Sequence, residues 1–127
     1  MKEDVKNKWV AALRSEDYKQ GRNALESNGS FCCLGVLSNI AVEEGLCTKK
    51  TKDNSGKGLV TFYDKFDNFG WEGTLPMAVK EWADMKDTVG TLPDGVEVKS
   101  SLLQLNDSAK YSFEQIADVI ERNWKEL

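Results

Sequence analysis

Apolar residues recur at helical spacing near both ends of the chain and crowd together between them. From about Asp4 to Ser15, Val5, Trp9, Ala12 and Leu13 share one face at a 3.6-residue period. That spacing predicts an amphipathic helix with Asp4 as its N-cap. Phe31 to Val42 is a denser apolar run, long enough for a buried helix, with Gly45 placed to end it in a left-handed cap. Gly35 lies inside this run. Glycine there costs about 1 kcal/mol relative to alanine, so it marks a close approach by another backbone or by a ligand. Near the end, Phe113, Ile116, Ala117, Ile120 and Trp124 form a third stripe, opened by Ser112 and Gln115 at capping-box spacing.

The middle of the chain has no such period. Thr48 to Gly58 is polar and predicts a mobile loop. Leu59–Tyr63 reads as a strand from its β-branched and aromatic residues. Phe66 to Gly73 is an aromatic, glycine-rich connection. Pro76 suits the first position of a short helix that contains Met77, Val79, Trp82 and Ala83. Val89–Leu92, Pro93-Asp94-Gly95 and Val96–Val98 predict strand, turn and strand. Ser100–Leu105 predicts a short helix, ending at Asn106-Asp107-Ser108 after the Ser27-Asn28-Gly29-Ser30 turn far upstream. The expected fold is α+β: about four helices packed around one small antiparallel sheet, in a single domain spanning residues 1–127.

Composition narrows the chemistry. The 127 residues are 40% apolar and 30% charged, which is globular. No window approaches the ~18 apolar residues of a membrane span. Met1 to Val5 leads straight into charged helix, which predicts a cytosolic protein. A net charge of −4 disfavours nucleic-acid duplexes but leaves room for a small basic pocket. Lys49-Lys50 with Lys52 reads as a solvated loop rather than a phosphate site. There is no histidine, so Ser-His-Asp and Cys-His catalysis and His-containing zinc sites are excluded. Three cysteines are too few for a Cys₄ site and odd for a disulfide framework. Gly56-Lys57-Gly58 lacks the rest of a dinucleotide fingerprint, and Asp64, Asp67 and Asn68 lack EF-hand spacing. No cofactor and no metal are expected.

A few segments could still bind or react. Cys32-Cys33 sits near a helix start, where a thiolate can be stabilised, but its apolar flanks favour core packing. Lys19-Gln20-Gly21-Arg22 offers an ammonium, an amide, a bare backbone and a planar fork for phosphate or carboxylate. Its bland alternative is a surface turn. Asn106-Asp107 could read a base edge or ribose, or simply end a helix. Trp9, Trp82 and Trp124 hold helical positions and are expected in the core. Trp71, in the segment with Phe66 and Phe69, could stack on a base or pack inward.

Three stretches carry a resemblance together. They are Lys8-Trp9-Val10-Ala11-Ala12-Leu13-Arg14-Ser15 with Tyr18-Lys19-Gln20-Gly21-Arg22, then Phe31-Cys32-Cys33-Leu34-Gly35-Val36-Leu37, then Leu105-Asn106-Asp107-Ser108 with Ser112-Phe113-Glu114-Gln115-Ile116-Ala117-Asp118. In this order they resemble a family of small proteins from tailed-phage genomes, over nearly the whole chain and least over residues 48–100. The resemblance implies an accessory protein in the host cytoplasm that counters a bacterial defence. The expectation that follows is a binder, not an enzyme, that sequesters a small anionic nucleotide-type signal. Lys19 and Arg22 would meet phosphate, Gln20, Asn106 and Asp107 would read base or ribose, and Trp71 or Tyr18 would stack. A pocket this small predicts a homo-oligomer. The alternatives are a surface that blocks a host enzyme, and a hydrolase with Asp107 as base.

Overall fold

A computed structural model describes residues 1–52, 58–65 and 69–127. Expectations that fall on residues 53–57 and 66–68, Phe66 among them, lie outside the described residues. Helix α1 spans Glu3–Arg14. Lys2, not Asp4, holds its N-cap position and makes no side-chain cap; Glu3 and Asp4 instead oppose the dipole from the first turn. The Lys2 N–H is taken by the carbonyl of Ala83 (2.8 Å), which removes the need for a capping side chain.

Three two-residue strands follow: β1 (Lys19–Gln20), β2 (Glu26–Ser27) and β3 (Ser30–Phe31). β2 and β3 form a hairpin across Asn28-Gly29, both with positive φ (53° and 81°), as a type I′ turn requires. β1 joins the other side of β3 in parallel, giving the order β1-β3-β2. The turn is where the sequence puts it, but strands of two residues leave no alternation to detect.

Helix α2 (Cys33–Glu43) is the centre of the molecule, and Cys33 to Ser38 are all buried. Its N-cap is Cys32, whose sulfur accepts from the Gly35 N–H (3.4 Å). The helix stops before Gly45, which has φ +80°. Gly35 is required by packing: a Cβ there would fall on the carbonyl of Leu25. The expected close approach is therefore by backbone.

The second sheet is antiparallel, in the order β4-β5-β6, from Cys47–Thr51, Val60–Asp64 and Gly70–Trp71. The predicted Thr48–Gly58 loop thus begins as strand. Cys47 and Lys49 face inward while Thr48 and Lys50 are exposed, a proper alternation disguised by a lysine. Lys49 can face inward because its ammonium reaches Glu26 (2.7 Å) and Asn39 (2.8 Å) while lying over the rings of Phe31 and Phe62. Lys52 pairs with Glu72 (2.8 Å), so two of these three lysines hold the fold together.

The predicted hairpin at Val89–Val98 is not formed. Its turn exists, with Gly95 at φ +78°, but a single bridge, Thr91 to Ser101, replaces the ladder. Asp87 explains the loss. One of its carboxylate oxygens accepts from the N–H groups of Val89, Gly90 and Thr91, leaving them unavailable to a partner strand. Val96 and Val98 are exposed, whereas Glu97 turns in to Tyr111 Oη (3.0 Å).

Helix α3 (Met77–Ala83) takes Pro76 as N-cap, one residue before the expected position. Helix α4 (Leu102–Asp107) is capped by Ser101, so Asn106 and Asp107 form its last turn. Helix α5 (Phe113–Asn123) has both halves of the Ser112–Gln115 capping box, and a 3₁₀ turn, Trp124–Glu126, follows. α1, α2, α4 and α5 enclose one hydrophobic core. Trp9 is fully buried there, while Trp82 and Trp124 are half-buried at its edge. The architecture is α+β as expected, with five α-helices and two small sheets among the described residues, the first mixed and the second antiparallel. No helix among the described residues is long and apolar enough to cross a membrane.

Candidate functional site

Three of the segments that the sequence singles out meet at one side chain. Asn106 is fully buried at the end of α4. Its Oδ1 accepts from Gln20 Nε2 (2.9 Å) and from the Cys33 N–H (3.2 Å). Its Nδ2 donates to the Gly21 carbonyl (3.0 Å) and to Asp107 Oδ1 (2.8 Å). An amide has two donors and two acceptor lone pairs, so Asn106 is saturated. The same Gln20 nitrogen also donates to the Tyr111 carbonyl (2.8 Å). Gln20 and Asn106 therefore spend these groups on each other and on backbone.

The rim of this knot faces water. Arg22 Nε donates to the Asn106 carbonyl (3.1 Å), one of the carbonyls left open at the end of α4. Its two terminal nitrogens have no protein partner, and the side chain is exposed. Lys19 and Lys110 are exposed without a carboxylate partner among the described residues. Each is one residue from the Gln20–Tyr111 bond, so three cations border the knot. Asp107 Oδ1 also accepts from the Asn23 N–H (3.1 Å), which fixes the half-buried carboxylate. Lys110 and Tyr111 were missed from the sequence. The available signal was their position just beyond the Asn106-Asp107-Ser108 helix end.

The cysteines beneath the knot are quiet. Cys32 has the helix N-terminal position that favours a thiolate, but burial outweighs it and pushes the thiol up to about 11, with the Asp107 charge adding to the rise. Cys33, fully buried, is raised further for the same reason and donates to the Leu102 carbonyl (3.6 Å). Cys47 is likewise pushed up to about 11 by burial. All three are thiols at neutral pH. Among the described residues no three Cys, Asp or Glu side chains are grouped to hold a metal ion.

Tyr18 and Trp71 are placed differently. Tyr18 packs edge-on against Phe31 (5.0 Å between centroids) and accepts from Asn39 at its hydroxyl (3.0 Å). It faces a cleft of about 770 Å³ between α1 and the last turns of α2. Trp71 is half-buried in β6 opposite Phe62. Its link to the Arg22 segment is a backbone bond from Leu25 N–H to the Glu72 carbonyl (2.7 Å). A second cleft, about 840 Å³, lies between Leu46, Asp64, Met77 and Trp82.

The fold and the knot define a class of small α+β protein in which a buried asparagine ties the first third of the chain to the last. The chain belongs to the family described as Domain of unknown function (DUF8296), whose model matches residues 1–124. No curated protein and no solved structure matches it.

Proposed function

We propose that this chain is a binding protein that captures a small anionic, nucleotide-derived molecule and holds it intact. Arg22 carries the proposal. Its guanidinium is held by one N–H on the Asn106 carbonyl, which leaves the two terminal nitrogens exposed and directed by a buried scaffold. A pre-oriented planar fork suits phosphate, and its neighbours Lys19 and Lys110 add positive charge. Asp107 keeps one carboxylate oxygen for a base or ribose donor, and Trp71 is the candidate stacking ring. Gln20 and Asn106 build the platform rather than read the ligand. So open a rim encloses a nucleotide only with a second copy, so the working form is a homo-oligomer. The resemblance to tailed-phage proteins supports a setting in the host cytoplasm, where the chain acts as a sponge for a defence signal.

The test is to express the chain in cells with an active nucleotide-signalling defence, purify it, denature it and analyse the released fraction by mass spectrometry. Near-stoichiometric intact nucleotide, lost in Arg22→Ala, is expected. An empty fraction across several signalling systems, or full retention by Arg22→Ala, overturns the proposal. A converted product would point to a hydrolase with Asp107 as base.

A second reading rests on exposed apolar side chains. Phe69 is 72% exposed and Met77 41%, the latter at the rim of the larger cleft. Such residues suit a protein partner, and the chain would then act by blocking a host enzyme. A single host protein captured stoichiometrically, and lost in Met77→Asp, would support this reading.

A further inference from the structure

The cleft beside Tyr18 has the opposite chemistry to the Arg22 rim. Its floor is apolar, from Ala11, Ala12 and Ile40, and the Tyr18–Phe31 pair walls one end. Its volume of about 770 Å³ falls within the range of small-molecule sites. Three carboxylates line it, Asp17, Glu43 and Glu44, against one ammonium, Lys8. Lys8 is already committed to Glu44 (2.6 Å). Nearby Lys49 is committed to Glu26 (2.7 Å). Asp17 and Glu43 make no ion pair among the described residues. Glu43 accepts only from the neutral Asn39 amide (3.3 Å).

The backbone adds to this field. α1 ends at Arg14 and α2 at Glu43, so both helices bring the negative ends of their dipoles to the cleft. The last turn of α2 carries no basic residue to offset it. The aromatic wall already receives a cation on its other side, since Lys49 Nζ lies 5.4 Å from the Phe31 ring centre.

We propose that this cleft binds a short aliphatic diamine, one ammonium at Asp17 and the Tyr18 ring, the other at Glu43, with the methylene chain on Ala12 and Ile40. An apolar floor between two separated charges fits a linear diammonium better than a compact metal ion, which would leave the floor dry and uncovered. This site is independent of the anion site at Arg22, and Tyr18 belongs to it.

The probe is 1,4-diaminobutane, titrated into the full chain at low ionic strength and followed by calorimetry and by the ring resonances of Tyr18 and Phe31. Saturable binding with a Kd of about 1 mM or tighter is expected, with butylamine at least about fivefold weaker. The Asp17→Asn/Glu43→Gln double variant should weaken it by about tenfold or more. Both positions are exposed, so the variant should keep the native melting temperature. Three results would overturn the proposal: no saturable binding, equal affinity in a folded double variant, or equal displacement of the ring resonances by magnesium chloride at matched charge.

Discussion

Asn106 and Arg14 each join the first part of the chain to the last, and they do so in opposite ways. Asn106 is fully buried and neutral, with four hydrogen bonds that bring β1, the start of α2 and the end of α4 to one point. Arg14 is exposed at the end of α1 and fans out to Asp118 (2.7 Å), Glu114 (3.5 Å) and Glu121 (4.0 Å) along α5. The number of contacts is similar, but the alternative open to each partner is not. Water can replace Arg14 for every one of its carboxylates. Nothing can replace Asn106 for the buried Cys33 N–H. Long-range polar links therefore differ in weight by burial more than by charge.

Removing the buried amide should produce the largest effect. Asn106→Ala leaves the Cys33 N–H without its side-chain acceptor and strips partners from Gln20 and the Gly21 carbonyl. A loss of about 3 kcal/mol is expected, at roughly 1–3 kcal/mol for each buried polar group left unsatisfied. Urea unfolding of both proteins measures it. A loss below about 1 kcal/mol would mean that water enters the knot and that the contrast with Arg14 is false. The same variant should release Arg22, because the carbonyl that seats it lies on the residue altered.

Next in size is an effect of pH beneath the knot. Burial raises the Cys32 thiol to about 11 from an ordinary 9.0. The folded chain thus holds this proton more tightly than the unfolded one. Its contribution is complete below pH 9 and is lost as pH rises from about 9 to 11, by about 2–3 kcal/mol at most. Cys33 and Cys47 shift in the same direction. Cys32→Ser isolates the first contribution. A serine oxygen can still cap α2 at the Gly35 N–H but does not titrate in this range. Melting temperature measured from pH 8 to 11 should fall less steeply in Cys32→Ser than in the native chain. Parallel curves would assign the alkaline loss to other groups.

What could be read from the sequence follows from how local each cause is. The Ser112–Gln115 box lies within four residues and was legible, as was the Gly35 approach, because only packing excuses a glycine there. Residue type also picked out Gln20, Arg22, Asn106 and Asp107, but not their roles. Gln20 and Asn106 lie 86 positions apart, and type alone does not say whether an amide faces a ligand or another amide. β4 was hidden because Lys49 occupies an inward position that only Glu26, Asn39 and two rings make tolerable. At Val89–Val98 the error ran the other way. Strand-forming residues were present, but Asp87 took their donors and no partner edge was offered.

The smallest expected effect sharpens the comparison most. Arg14→Ala removes all three ion pairs on α5 at once, yet each is exposed and competes with water and salt. A loss of about 0.5–1 kcal/mol is expected at low ionic strength, shrinking towards zero in about 1 M salt, where the Debye length is roughly 3 Å. α5 stays docked because Phe113, Ile116 and Ile120 are buried against the core regardless of Arg14. Asn106→Ala should show no such salt dependence, since its bonds are buried and the amide is neutral. Urea unfolding of both variants at two salt concentrations therefore separates the two kinds of link. If Arg14→Ala matched Asn106→Ala in size, or kept its full cost in high salt, the fan on α5 would be a buried network in energetic terms, and exposure would not be the property that distinguishes them.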